Sequence, residues 1–146
     1  MTNGGIGMHP LSLRSVTAGG DCAVLRAVGE IDGYTAPRLR EHVIDLVENG
    51  VRHIVADLRE VTFLDSTGLG ALIGSLKRLR GHDGTLTLVI GADRVFRIFR
   101  VTGLDRVFVH QSSVHEALQA SPRWRAAVTG DGHTVDEWCR RHEIPR

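Results

Sequence analysis

Lysine is nearly missing from this 146-residue chain: Lys77 is the only one among 18 basic residues, and arginine supplies the rest. Seventeen acidic residues balance them to a formal net charge of +1. A chain without an excess of either sign lacks the basic stripe of a nucleic-acid protein, so no direct nucleic-acid partner is expected. Cysteine is also scarce. Cys22 and Cys139 stand far apart, with no CxxC pair and no zinc-like spacing, and read as free thiols in a reducing compartment. Nothing in the spacing of His, Cys, Asp and Glu implies a metal or a cofactor. The start Met1-Thr2-Asn3-Gly4-Gly5-Ile6-Gly7-Met8 has neither a basic nor an apolar segment of the secretory kind. No apolar run approaches the roughly 18 residues of a membrane span. The expectation is a cytoplasmic protein with no membrane contact. Its length suits one domain, which at this size buries roughly 68–70% of the surface that the unfolded chain exposes.

What the chain does have is Val61-Thr62-Phe63-Leu64-Asp65-Ser66-Thr67-Gly68-Leu69-Gly70. The apolar approach Val61, Phe63, Leu64 reads as a buried strand that breaks at Asp65-Ser66-Thr67. Beyond the break, Leu69, Leu72, Ile73, Leu76 and Leu79 recur at helical spacing. Ser66 therefore falls at the cap or first turn of a helix, among backbone N–H groups without intrahelical partners. Gly68 and Gly70 keep that turn free of bulk. A helix N-terminus favours added negative charge, so a serine placed there is well suited to carry a phosphate. On local pattern alone, an ordinary Asp/Ser cap fits the same residues.

The remainder reads as alternating elements. Leu11 to Val16 alternates at period two, Thr17 to Asp21 turns, and Cys22 to Val28 returns as the second strand of a hairpin. The loop Gly29 to Tyr34 delivers a helix capped by Thr35, with Pro37 in its first turn, inner face Leu39, Val43, Leu46 and Val47, and a stop at Asn49-Gly50. His53 to Leu58 suits a central strand. The Ser66 helix runs to Gly81, and Thr85 to Ile90 is another buried strand. Asp93 caps a short helix with Val95, Ile98 and Phe99 inward and Arg94, Arg97 and Arg100 outward, a solvated face. Val107-Phe108-Val109 reads as an edge strand, and Ser113 with Glu116 as a capping box for a further helix. The fold class is α/β: a mixed sheet of about five strands with about four helices packed on it. Residues 1–10 form a flexible leader, 11–120 the domain, and 121–146 a C-terminal extension. That extension holds both tryptophans, Trp124 and Trp138, and a capping box at Thr134 and Glu137. It reads as a loop and one short helix, packed back through the tryptophans because exposed tryptophan is costly to leave wet.

Three segments together resemble the STAS family, the domain shared by sulfate transporters and anti-sigma factor antagonists. These are Gly29-Glu30-Ile31-Asp32 with Thr35-Ala36, then Asp65-Ser66-Thr67-Gly68-Leu69-Gly70, then Val101-Thr102-Gly103-Leu104 through Phe108 with Glu116-Ala117-Leu118. The resemblance covers about residues 11–120, and the extension has no counterpart in it. It implies a single STAS-like domain that is not itself an enzyme. By partner switching, such a domain binds an anti-sigma factor of the serine-kinase fold while unphosphorylated. It is switched off when that kinase phosphorylates Ser66, and a phosphoserine phosphatase reverses the step. Thr67 is the lesser acceptor. Asp32, Gly33, Tyr34, Asp65, Ser66, Thr67, Gly68 and Leu69 are the implied partner-binding positions, although Asp32 also reads as a turn residue and Leu69 as core.

Two alternatives remain at this level. A free-standing STAS subunit of a membrane transporter would keep the fold and change the partner. A serine hydrolase would use Ser66 as nucleophile, but the G-x-S-x-G elbow is absent because Leu64 stands at its first position. That reading needs His53 or His110 brought beside Ser66 by the fold.

Overall fold

A computed structural model describes residues 10–91 and 94–146. The leader expected over residues 1–10, apart from Pro10, and the Asp93 cap lie outside the described residues. The chain opens with the hairpin: β1 (Leu11–Ala18) pairs antiparallel with β2 (Cys22–Ile31), from Leu11 opposite Gly29 to Ala18 opposite Cys22. Its turn uses Gly19 and Gly20, both at positive φ (62° and 81°), where a side chain would strain the backbone. β2 runs three residues past the expected Val28.

α1 (Ala36–Glu48) follows, with Pro37 in its first turn, and buries Leu39, Val43 and Val47, whereas Leu46 is only half-buried. β3 (His53–Leu64) is twice as long as the segment expected to end at Leu58, and it leads directly into α2 (Ser66–Gly81). Then come β4 (Thr85–Val89), α3 (Arg94–Thr102), a 3-10 turn (Leu104–Arg106) and β5 (Val109–Gln111). The last strand starts later than expected because the chain turns at Gly103, at φ 76°, and sends Phe108 into the core edge-on against Phe99. α4 (Val114–Gln119), α5 (Pro122–Gly130) and α6 (Val135–Arg141) complete the chain.

The five strands lie in sequence order, with β2, β3, β4 and β5 mutually parallel. Each parallel step needs a crossover, and α1, α2 and α3 supply them. Their apolar faces meet Leu25, Ile54, Leu58 and Leu88 on one side of the sheet. The neighbouring strand residues Val24, Val55 and Val89 point to the other side, where α4, α5 and α6 cover them.

The extension is thus two helices rather than the one expected, and both tryptophans are buried, Trp124 at 2% and Trp138 at 1% exposure. Their rings meet edge to face at 5.5 Å between centroids. Burying about 150–250 Å2 each, they contribute up to about 4–6 kcal/mol apiece by area. Polar contacts fix their register: Arg123 pairs with Asp21, and Arg59 on β3 reaches the carbonyls of Pro145 and Arg146 while holding buried Asp57. Ser121 caps α5, and the Thr134–Glu137 capping box is complete.

Candidate functional site

Parallel pairing of β2 with β3 brings the two loops of interest side by side. Ile31 and Leu64 are the last partners in register, and the Asp65 N–H donates to the Ile31 carbonyl at 3.3 Å. Asp32 and Asp65 therefore leave the sheet from adjacent positions, at the end where the parallel strands point their carboxyl termini.

In the first loop, Asp32 is buried at 6% exposure. Its carboxylate accepts from the N–H groups of Tyr34 (2.9 Å) and Thr35 (3.0 Å). Thr35 stands at the N-cap position of α1 but does not cap it with its side chain. Its hydroxyl donates to the Glu30 carbonyl at 2.7 Å and accepts from the Asp32 N–H at 2.9 Å, so it ties the loop instead. The consequence is a rigid turn that presents Gly33 and Tyr34 outward, with Tyr34 at 77% exposure.

In the second loop Asp65, not Ser66, is the N-cap of α2, and its Oδ1 accepts from the Gly68 N–H at 2.9 Å. That bond satisfies one orphan donor and leaves Ser66 and Thr67 as the first two helical residues, both exposed. The Ser66 hydroxyl has no hydrogen-bond partner among the described residues. Gly68 is buried against β2, where a Cβ would stand 2.6 Å from the Ile31 carbonyl oxygen, so the position requires glycine. Leu69 belongs to the core at 8% exposure. Of the eight expected partner-binding positions, Gly33, Tyr34, Asp65, Ser66 and Thr67 reach the surface. Asp32, Gly68 and Leu69 shape it from beneath.

Phe63 reverses its expected placement. It stands 47% exposed, between buried Val61 and buried Leu64. Its neighbour in register is Glu30, and an extra residue in β3, Thr62, interrupts the pairing just before it. A period-two reading of Val61 and Phe63 could not reveal that bulge.

The hydrolase reading fails on distance. His53 begins β3, roughly 35 Å of strand away from Ser66, and its ring bonds the Thr85 hydroxyl. His110 lies on β5 with its ring against Phe96. A serine–histidine pair does occur, Ser15 with His42 at 3.1 Å, but it joins β1 to α1. Among the described residues, no cluster of three or more His, Cys, Asp or Glu could hold a metal ion, and no helix is long and apolar enough to cross a membrane.

The family model of the STAS domain matches residues 14–117. The chain belongs to the STAS family. The match takes in both loops of the site and stops before α5, so the tryptophan-bearing helices lie outside the STAS pattern. An anti-sigma-B factor antagonist of Staphylococcus aureus is 42% identical over 76 residues, 52% of this chain and 70% of that protein. A crystal structure of an anti-sigma factor antagonist from Mycobacterium paratuberculosis superposes with a TM-score of 0.69 at 30% identity, covering 76% of this chain and 93% of that one. The phosphorylated form of the Bacillus cell fate determinant SpoIIAA shares the STAS fold at a TM-score of 0.60 and 20% identity, over 75% of this chain and 98% of its own.

Proposed function

We propose that this STAS protein is an anti-sigma factor antagonist. It binds an anti-sigma factor of the serine-kinase fold while Ser66 is unmodified and releases it once that kinase phosphorylates Ser66. A phosphoserine phosphatase restores binding. The observation that carries this reading is the state of Ser66: an exposed hydroxyl with no hydrogen-bond partner among the described residues, at the first position of α2 behind an aspartate that already caps the helix. A kinase can reach such a hydroxyl without unfolding anything. Names of the relatives point the same way, since the staphylococcal and mycobacterial proteins are anti-sigma factor antagonists and SpoIIAA has a phosphorylated form.

Phosphate adds about −1.5 to −2 charges and three strong acceptors. The helix N-terminus tolerates it within the free protein. In a close interface it brings bulk and like charge beside Asp65, and several kcal/mol of lost contact corresponds to a thousandfold or more in affinity. Incubation with the kinase-type anti-sigma factor and ATP should place one phosphate on the wild type and none on Ser66→Ala. Labelling of the alanine variant at the wild-type level moves the acceptor to Thr67. Ser66→Asp should fold normally and bind the kinase weakly.

A further inference from the structure

We infer that the seam between the β1–β2 hairpin and the end of the chain is a binding site for a small free α-amino acid. Arg14 holds its carboxylate, Glu143 its ammonium group, and Val16, Val24 and Ile144 its aliphatic part. The site stands or falls independently of the Ser66 switch.

The hairpin forms one wall. Arg14 stands opposite Arg26 in register, and Val16 opposite Val24. Val24 belongs to the core under α4–α6 and Val16 packs against it. Alternation along each strand therefore puts both arginines on that same side of the sheet. The segment after α6, from His142 to Ile144, forms the other wall. The cavity between them measures about 130 Å3, near the ~150 Å3 that accepts a benzene molecule. Val16, Val24 and Ile144 give it an apolar lining, so a short branched side chain fits.

Two opposite charges line this space without meeting. Neither the Arg14 guanidinium nor the Glu143 carboxylate has a hydrogen-bond or ion-pair partner among the described residues. Arg26 differs, because Glu60 holds it at 2.5 Å and buried Asp57 at 3.5 Å. Like charges directly opposite on neighbouring strands are unfavourable. Carboxylates of the chain answer Arg26 alone, and Arg14 is left beside it without an anion. A zwitterion between Arg14 and Glu143 answers both unpartnered charges at once.

The backbone gives a second reason. α6 ends at His142, and Glu143 follows in the left-handed region at φ 57°. The Ile144 N–H then closes the turn on the Cys139 carbonyl at 2.9 Å. Glycine is the usual residue at such a helix end. Gly50 and Gly132 take this conformation after α1 and α5, and Asp83, of a type that tolerates it, after α2. A glutamate at this position costs backbone energy that glycine would spare, and no contact of its carboxylate within the chain offsets it. The His142 ring packs on Trp138 at 4.6 Å between centroids and fixes the turn that carries Glu143.

The test titrates the full chain with L-valine by calorimetry. L-Valine should bind with a dissociation constant below about 1 mM and raise the melting temperature when in excess. Acetate and N-acetyl-L-valine, which lack the ammonium group, and isobutylamine, which lacks the carboxylate, should each bind at least tenfold more weakly. Arg14→Gln and Glu143→Gln should each weaken L-valine binding at least tenfold while the free protein melts as the wild type does. Glu143→Gly should raise the melting temperature of the free protein and still lose binding, which separates the carboxylate from the fold. Acetate binding as tightly as L-valine would reduce the seam to an anion site and overturn the proposal. So would wild-type affinity in Glu143→Gln, or no binding of L-valine, L-alanine or L-leucine at about 10 mM.

Discussion

Two glycines in the first turns of α2 do opposite things. At Gly68 a Cβ would stand 2.6 Å from both the Ile31 carbonyl oxygen and Leu64 Cδ1, whereas at Gly70 it would meet nothing within 4 Å. Gly68→Ala should therefore force α2 away from β2 and destabilise by about 1–3 kcal/mol. Gly70→Ala should stabilise by about 0.5–1 kcal/mol, because alanine is the better helix former and no clash offsets it. Urea unfolding of both variants checks the pair, and the same sign for both would refute the account. His42 gives a second residue-level expectation. Burial holds its pKa below the ordinary 6.5, with Asp45 partly opposing. The unfolded chain thus takes up this proton at a higher pH than the folded one. The contribution of neutral His42 is fully present above about pH 6.5 and is lost as pH falls below it. Between pH 7.5 and 5.5 the stability of His42→Asn should fall less than that of the wild type. Parallel curves would show that His42 is uncoupled from folding.

Among the elements, α5 and α6 form a lid over one sheet face rather than an appendage. Trp138→Ala should cost about 3–5 kcal/mol and lower the melting temperature by on the order of 10 °C. Calorimetry decides: a shift of a degree or two would mean that the layer floats. The proposed phosphorylation of Ser66 should persist in this variant below its melting point, because the lid packs on the face opposite α2. The order of strands and crossover helices was legible in the sequence because period-two and period-3.6 patterns are set by which face is buried. Ser66 at a helix start was legible too, from Asp65 and the leucine spacing behind it. Three features were not, and each depends on tertiary geometry. The Thr35 hydroxyl serves the loop instead of the cap because Asp32 and the Glu30 carbonyl compete for it. Phe63 faces outward because of a bulge that only the partner strand defines. α5 was hidden because Trp124, Ala127 and Val128 make a short apolar stripe in a segment that reads as loop until a sheet face is there to receive it.

At the scale of the whole molecule, one sheet separates two cores. The first carries the Ser66 loop on its rim, and the second holds both cysteines. Burial, then the neighbouring Asp21 carboxylate, pushes the Cys22 thiol up to about 12, and burial raises Cys139 as well. A thiolate is the reactive form, so the native protein should react negligibly with a disulfide reagent at pH 8, while urea should release two equivalents. Rapid reaction of one thiol without denaturant would mean that the lid opens. The division also has an optical consequence. Both tryptophans sit within the lid, and Tyr34, the only tyrosine, stands exposed on the loop beside the candidate site. Indole emission therefore reports on the lid, and phenol absorbance on the loop beside Ser66. The two ends of the molecule can be followed separately, in one cuvette and without a label.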